Sequence, residues 1–294
     1  MLNCGLSIGL ALPTTAQLTA PTALERLARA AEDLGFAGLW THDHVLPPAG
    51  APDMAHQLDS LSVLAWLAAH THRLTIGTSI LVLPYRQAPE VAKTLASIDW
   101  LSSGRVIAGI GAGWLEDEFA ALGVPFGERG AITDEAMRVI RALWSDAPAS
   151  FAGRRWSFAD VVSRPAGAPN RRCAIPLIVG GNSAAAMRRA ARMGDGWHPL
   201  NLPVGDLAGH IVAYRRACAD AGRTPGVVIA RHFPAGVARP IQGRLPFTGN
   251  AAQIARDVER YSRTGADGLV LSWDDSSVDG TLRRWERFSV AIGG

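Results

Sequence analysis

His42-Asp43-His44 is the densest group in the chain able to move a proton near neutral pH. It closes the segment LWTHDHV, whose apolar start reads as a buried strand. Side chains alternate along a strand, so His42 and His44 share one side and Asp43 takes the other. A carboxylate beside an imidazole can fix its tautomer and raise its basicity, which suits acid–base work. The bland alternative is a hydrogen-bonded strand-end cluster. A third reading is a metal site completed by His198, His232 and Asp274. His-x-His metal sites in barrels usually follow the first strand, and this pair follows the second, so no metal is expected.

Two glycine segments come next. Gly180-Gly181-Asn182-Ser183 follows the apolar run IPLIV and opens a helix. Free N–H groups and the positive end of the helix dipole make that geometry suited to an anion. Gly111-Ala112-Gly113 ends RVIAGIG and would let a flat ring approach the backbone. Each also has the plain reading of a tight turn. Arg188, Arg189 and Arg192 read as a solvated helix face, and Glu116, Asp117 and Glu118 as first-turn charges favourable to the dipole of a short helix.

The elements that must position these groups alternate regularly. Short apolar strands begin near residues 5, 38, 74, 105, 175, 195, 227 and 267, each followed by a segment of helical periodicity. Helices are expected over residues 22–34, 58–71, 89–102, 133–144, 183–193, 204–221, 251–264 and 281–292. Strands apolar on both faces and joined by helices imply a parallel sheet covered on each side. Eight β-α units in 294 residues fit an α/β (β/α)8 TIM barrel, with irregular excursions after the fourth and seventh strands (146–174 and 239–248). A dinucleotide-binding sheet would need a Gly-rich turn after the first strand, where the chain reads LPTTAQ. No linker divides the sequence, so residues 1–294 are expected to form one domain. In a TIM barrel the C-terminal strand ends carry the chemistry, which brings the His42 cluster, Ser79-Ile80, both glycine segments, Trp114, His198, Arg231-His232 and Ser272-Trp273-Asp274 to one face.

Composition excludes several classes. The net charge is +3, and Lys93 is the only lysine. Basic residues are dispersed, with no Arg/Lys cluster interleaved with aromatics, so nucleic acid is not an expected partner. The three cysteines, Cys4, Cys173 and Cys218, have neither disulfide nor metal spacing. No basic-then-apolar leader or run of 18 apolar residues occurs, and a cytoplasmic protein without membrane contact is expected.

The segments LWTHDHV, GTSILVLPYRQAPEVAKTLASIDWLSSGRVIAGIGAGWLEDEFAALGVPFGERG, IPLIVGGNSAAAMRRAARMGDGWHP and GADGLVLS are similar to the bacterial luciferase-like superfamily, most of all to its coenzyme F420-dependent branch. The resemblance spans nearly the whole chain. It implies a TIM-barrel oxidoreductase that transfers a hydride between F420 and a small organic substrate. It also implies that Asp43 and His44 meet the deazaflavin ring and act in catalysis. Ser79-Ile80 would form a bulge with a non-proline cis peptide behind the ring. Gly111, Ala112 and Gly113 would line the ring, and Gly180, Gly181, Asn182 and Ser183 would hold the cofactor phosphate. FMN is the alternative cofactor, used in reduced form with O2 by monooxygenases; a non-catalytic flavin-binding relative is a further alternative. Some F420-dependent sugar-phosphate dehydrogenases carry a proton-donating Glu directly after Gly-x-Gly. This chain has Trp114 there, which with His198 is expected to shape a substrate pocket. Family members also suggest a homodimer.

Overall fold

The computed structural model describes residues 6–49, 56–145, 148–170, 174–233, 244–273 and 275–293. Asp274, Cys4 and Cys173 lie outside them. The first half runs β1 (Ser7–Ala11), α1 (Pro21–Asp33), β2 (Gly38–Thr41), α2 (Ser60–His70), β3 (Thr75–Thr78), β4 (Leu81–Val82), α3 (Ala88–Leu101), β5 (Val106–Gly111), α4 (Glu116–Ala121) and α5 (Arg129–Leu143). An antiparallel hairpin follows, β6 (Ala149–Ala152) and β7 (Ser157–Val161). The chain then continues through β8 (Leu177–Gly180), α6 (Ala184–Met193), β9 (Gly196–His198), α7 (Val204–Asp220), β10 (Val227–His232), α8 (Ala251–Ser262), β11 (Gly268–Leu271) and α9 (Val278–Ala291).

All barrel pairings are parallel, in the order β3-β2-β1-β11-β10-β9-β8-β5-β4, and a β3–β5 pairing closes the ring. β3 and β4 are two halves of the third barrel strand. β5 meets β3 through Ile76↔Val106 and β4 through Leu81↔Ile110, so the interruption falls at Ser79-Ile80. That peptide bond is cis, as the family resemblance implied. The architecture is therefore the eight-stranded TIM barrel that the strand spacing predicts.

Strand alternation sorts the side chains into two layers. Ile8, Leu10, Leu39, Ile76, Val106, Ala108, Leu177, Val179, Leu269 and Leu271 face the helices and form the main core. Ala11, Trp40, Ile178 and Val270 fill the barrel interior, with Ile107 and Ile229 against them. Trp40 occupies the space that side chains at Gly9 and Gly77 would need: a Cβ there would lie 2.6 and 2.5 Å from its indole.

Helix limits follow local chemistry. Asp59, Ser183, Asn250 and Ser277 each accept a first-turn N–H, and Asn250 with Gln253 forms a capping box. The last helix begins three residues earlier than its apolar periodicity suggests, because Ser277 supplies the cap. α5 likewise begins at Arg129, running straight on from a turn of 3₁₀ helix over Phe126–Glu128.

The excursion after the fourth barrel strand carries the hairpin and is tied down by two buried carboxylates. Glu135 accepts the Arg155 N–H at 2.8 Å, and Asp99 accepts those of Ala168 at 2.8 Å and Val106 at 3.2 Å. Of the excursion after the seventh strand, residues 239–243 lie outside the described part. The remainder is anchored by Arg244, which donates to both oxygens of buried Asp257 at 2.6 and 2.8 Å.

Candidate active site

The C-terminal ends of the strands gather most of the expected residues. The alternation predicted for the cluster after β2 holds. His42 turns into the barrel, where Arg231 Nη2 lies within 3.0 Å of its ring nitrogens. Burial, then the Arg231 charge, holds the His42 imidazole well below its ordinary pKa, so it is neutral.

Asp43 departs from its expected role. It is only 5% exposed and faces away from the two histidines. Its oxygens accept the Val82 N–H at 2.8 Å and a bidentate pair from Arg86, both at 2.7 Å. Arg86 also donates to Asp59 at 3.0 Å. The carboxylate thus clasps β4 to the end of β2. Arg86 was not legible as its partner, because nothing local marks an arginine 43 residues downstream.

His44 sits at the rim. Its Nδ1 lies 2.8 Å from Glu118 Oε2, and among the described residues Nε2 has no hydrogen-bond partner. Trp114 packs edge-on to the imidazole at 6.2 Å and is 63% exposed. Val45 and Leu46 are exposed beside it, giving His44 an apolar surround. Glu118 stands in the first turn of α4 as expected, but its side chain is 0% exposed and turns to His44, a contact the sequence reading missed. Oε1 accepts the N–H groups of Val45 at 2.7 Å and Leu46 at 2.9 Å, and Oε2 also accepts the Tyr85 hydroxyl at 3.1 Å. Burial opposes ionisation, but the bonds from His44, Leu46 and Val45 together hold the carboxyl below its ordinary pKa.

Beneath the rim lies a polar layer around Ser79. The Ser79 hydroxyl and His198 Nε2 are 2.7 Å apart, and His198 Nδ1 donates to the Ile229 carbonyl. Nε2 is therefore the acceptor and Ser79 the donor. Arg231 Nη1 donates to the Ser79 carbonyl and, at 3.0 Å, to its hydroxyl; Nη2 donates to Ser272 Oγ at 3.1 Å. His198 is 2% exposed and stacks on Trp40. It supports the Ser79-Ile80 peptide from below instead of lining a substrate pocket, and burial pushes its pKa down to about 4. His232, one residue beyond Arg231, faces outward, 3.3 Å from the Tyr261 hydroxyl. Among the described residues no group of three or more His, Cys, Asp or Glu side chains is placed to hold a metal ion.

Ile80 forms a raised apolar platform in the mouth. A Cβ at Gly111 would lie 2.2 Å from Ile80 Cδ1, and one at Gly180 would lie 2.6 Å from Cγ2. These glycines make room first for Ile80. Ala112 is half-buried and Gly113 adopts φ +78 beside Phe119 and Val82. Gly181, at φ +113, donates to the His198 carbonyl at 3.2 Å and turns the chain into α6. Asn182 bridges to the Leu200 backbone at 2.6 and 2.9 Å, and Ser183 caps α6. Asn182, Ser183 and Ala184 are exposed, so the helix start opens to solvent at the same end of the barrel as His44.

A parallel eight-stranded barrel, a rim histidine held by a carboxylate, an apolar platform and an open helix N-terminus define a TIM-barrel protein with a candidate site for a flat, anionic cofactor. The chain belongs to the luciferase-like monooxygenase family, which matches residues 6–264. It is 32% identical over 266 residues to the F420-dependent glucose-6-phosphate dehydrogenase of Kineococcus radiotolerans, covering 88% of this chain and 74% of that one. It is 29% identical over 258 residues to the FMNH2-dependent dimethylsulfone monooxygenase of Pseudomonas putida, covering 87% and 64%. Its fold superposes with a TM-score of 0.81 on an F420-dependent secondary alcohol dehydrogenase solved with an F420-acetone adduct, at 19% identity, covering 98% and 99%.

Proposed function

We propose that this protein is an oxidoreductase that transfers a hydride between coenzyme F420 and a small organic substrate. The observation that carries the reading is one shared rim: His44 with an open Nε2, the Ile80 platform and the exposed start of α6 all face the same end of the barrel. Kinship with an F420-dependent dehydrogenase over most of the chain supports the cofactor choice.

The residues present fit such a group. Ile80, with Ser79, Gly111, Ala112 and Gly113 around it, would take the ring, and the Gly180–Ser183 turn would take the phosphate, with the N–H groups of Asn182 and Ser183 as donors, since that of Gly181 already bonds the His198 carbonyl. Bound F420 supplies a two-electron hydride acceptor or donor. His44 handles the proton at the substrate oxygen, and Trp114 with Val45 and Leu46 offers an apolar flank beside it. Trp114 stands where an acidic proton donor would be needed for a sugar phosphate, so the substrate differs from that of the Kineococcus relative. A homodimer belongs to the same reading and rests on the sequence resemblance; a single domain over residues 1–294 and a cytoplasmic location belong to it too and rest on the composition and strand–helix pattern of the sequence.

A second reading is a monooxygenase using reduced FMN and O2, supported by the similarity to the dimethylsulfone enzyme. Anaerobic turnover of F420 with a panel of small alcohols and ketones tests the first. The expected result is activity that falls ~100-fold or more in His44→Ala, within the range for loss of an acid–base group, while cofactor affinity changes only a few-fold. Oxygen consumption with reduced FMN and no F420 turnover would replace it with the second reading. Full activity in His44→Ala contradicts the role given to that residue.

A further inference from the structure

We infer that Glu118 is the positioning residue that sets the tautomer of His44, holding the proton on Nδ1 so that Nε2 presents a lone pair to the substrate. This deepens the proposed function and rests on it for the identity of the proton donor, an alcohol hydroxyl.

The case is made by the two ends of the carboxylate. Oε1 is fixed by two main-chain donors, Val45 N–H at 2.7 Å and Leu46 N–H at 2.9 Å, which cannot become acceptors. Oε2 is thereby aimed at His44 Nδ1, 2.8 Å away, with the Tyr85 hydroxyl at 3.1 Å on the same oxygen. An ionised carboxylate only accepts hydrogen bonds, so Nδ1 must donate. The side chain is 0% exposed, so water does not compete for these bonds. The ring's other nitrogen is left as the one that meets the mouth. Neutral His44 then accepts the hydroxyl proton at Nε2 as the alcohol loses its C–H hydride, which F420 would accept under the proposed function, and becomes a carbonyl; in the reverse direction the proton returns to the carbonyl oxygen as the hydride returns to the carbon. The same two bonds fix the chain just after His44, so orientation and tautomer come from one residue.

Glu118→Gln gives a discriminating test because its shape is conserved and its pattern of donors is not. The amide oxygen stays on Val45 and Leu46, where only an acceptor fits. The NH2 group then faces His44 Nδ1 and the Tyr85 oxygen, both of which can accept. Both atoms of the amide keep partners and the half-buried Tyr85 hydroxyl must turn its own proton elsewhere, a small change the fold tolerates, but Nδ1 must become the acceptor and the proton moves to Nε2. Nitrogen-15 NMR of histidine-labelled protein, without cofactor and in alkaline buffer, reads this directly. The expected result is the Nδ1–H form in the wild type and the Nε2–H form in Glu118→Gln. With it comes a fall in kcat of ~100-fold or more at nearly unchanged KM.

A variant that keeps the Nδ1–H form overturns the inference, and so does an inverted tautomer with undiminished kcat. The NMR readout needs no cofactor. Inversion in a protein that never turns over F420 therefore supports the tautomer assignment while it rejects the cofactor reading.

Discussion

At the scale of single residues, position in the network decides role more than residue type does. Asp43 and Glu118 are both buried carboxylates beside His44, yet Asp43 is spent on Arg86 and the Val82 N–H, whereas Glu118 reaches the imidazole. The sequence places an acid next to His44 at Asp43 and misses the one that touches it. Adjacency along a strand sends neighbouring side chains to opposite faces, while the true partner comes from a helix 74 residues away. The only local hint is that Glu118 precedes Phe119, on the inward side of a short helix. Asp43→Ala should accordingly act on stability first. It strands the Arg86 guanidinium, which keeps one of its three carboxylate bonds, that to Asp59, and should lower unfolding free energy by ~3 kcal/mol in urea titrations. A variant of wild-type stability that has lost turnover alone would return Asp43 to catalysis.

At the scale of elements, the third barrel strand is the device that shapes the mouth. Its two halves, β3 and β4, flank Ser79-Ile80, and β5 and β8 give up side chains at Gly111 and Gly180 so that Ile80 can lie across them. The family resemblance placed the break at Ser79-Ile80, and it assigned Gly111 to a cofactor ring and Gly180 to its phosphate. It could not show that a neighbouring isoleucine occupies the space, because that contact depends on barrel closure. A double-mutant cycle separates the two glycines. Gly111→Ala collides with Ile80 Cδ1 and Gly180→Ala with Cγ2, and overpacking of this kind costs ~1–3 kcal/mol. Ile80→Val removes Cδ1 and keeps Cγ2. It should therefore relieve most of the cost of Gly111→Ala and little of that of Gly180→Ala, measured by chemical denaturation. Equal relief at both positions would show that Ile80 does not sit as described.

At the scale of the whole molecule, the strand–helix rhythm made the barrel legible, since each apolar strand and each helical stripe is a local signal. The buried polar layer was not legible, because its members come from the ends of β2, β3, β9, β10 and β11. That layer and the outer core give stability a pH dependence. Burial pushes His198 and His232 down to about 4, against ~6.5 in an unfolded chain. Between those values the unfolded state binds more protons, so stability is fully present above pH ~6.5 and is lost as pH falls toward 4. Each group contributes up to ~1.4 kcal/mol per pH unit in that window. His232→Phe, replacing a ring packed among Phe247 and Tyr261, should reduce the slope of stability between pH 6.5 and 5. An unchanged slope would mean that His232 titrates normally in the fold. No helix among the described residues is long and apolar enough to cross a membrane.

The central claim is met most directly by an equilibrium titration of the purified protein with F420 and, separately, with FMN, followed by the absorbance or fluorescence of each ring. Saturable, stoichiometric binding of F420, weakened by Gly181→Asp at the turn into α6 and at least 100-fold tighter than FMN, is the result expected here. Tight FMN binding with no detectable F420 binding would contradict it.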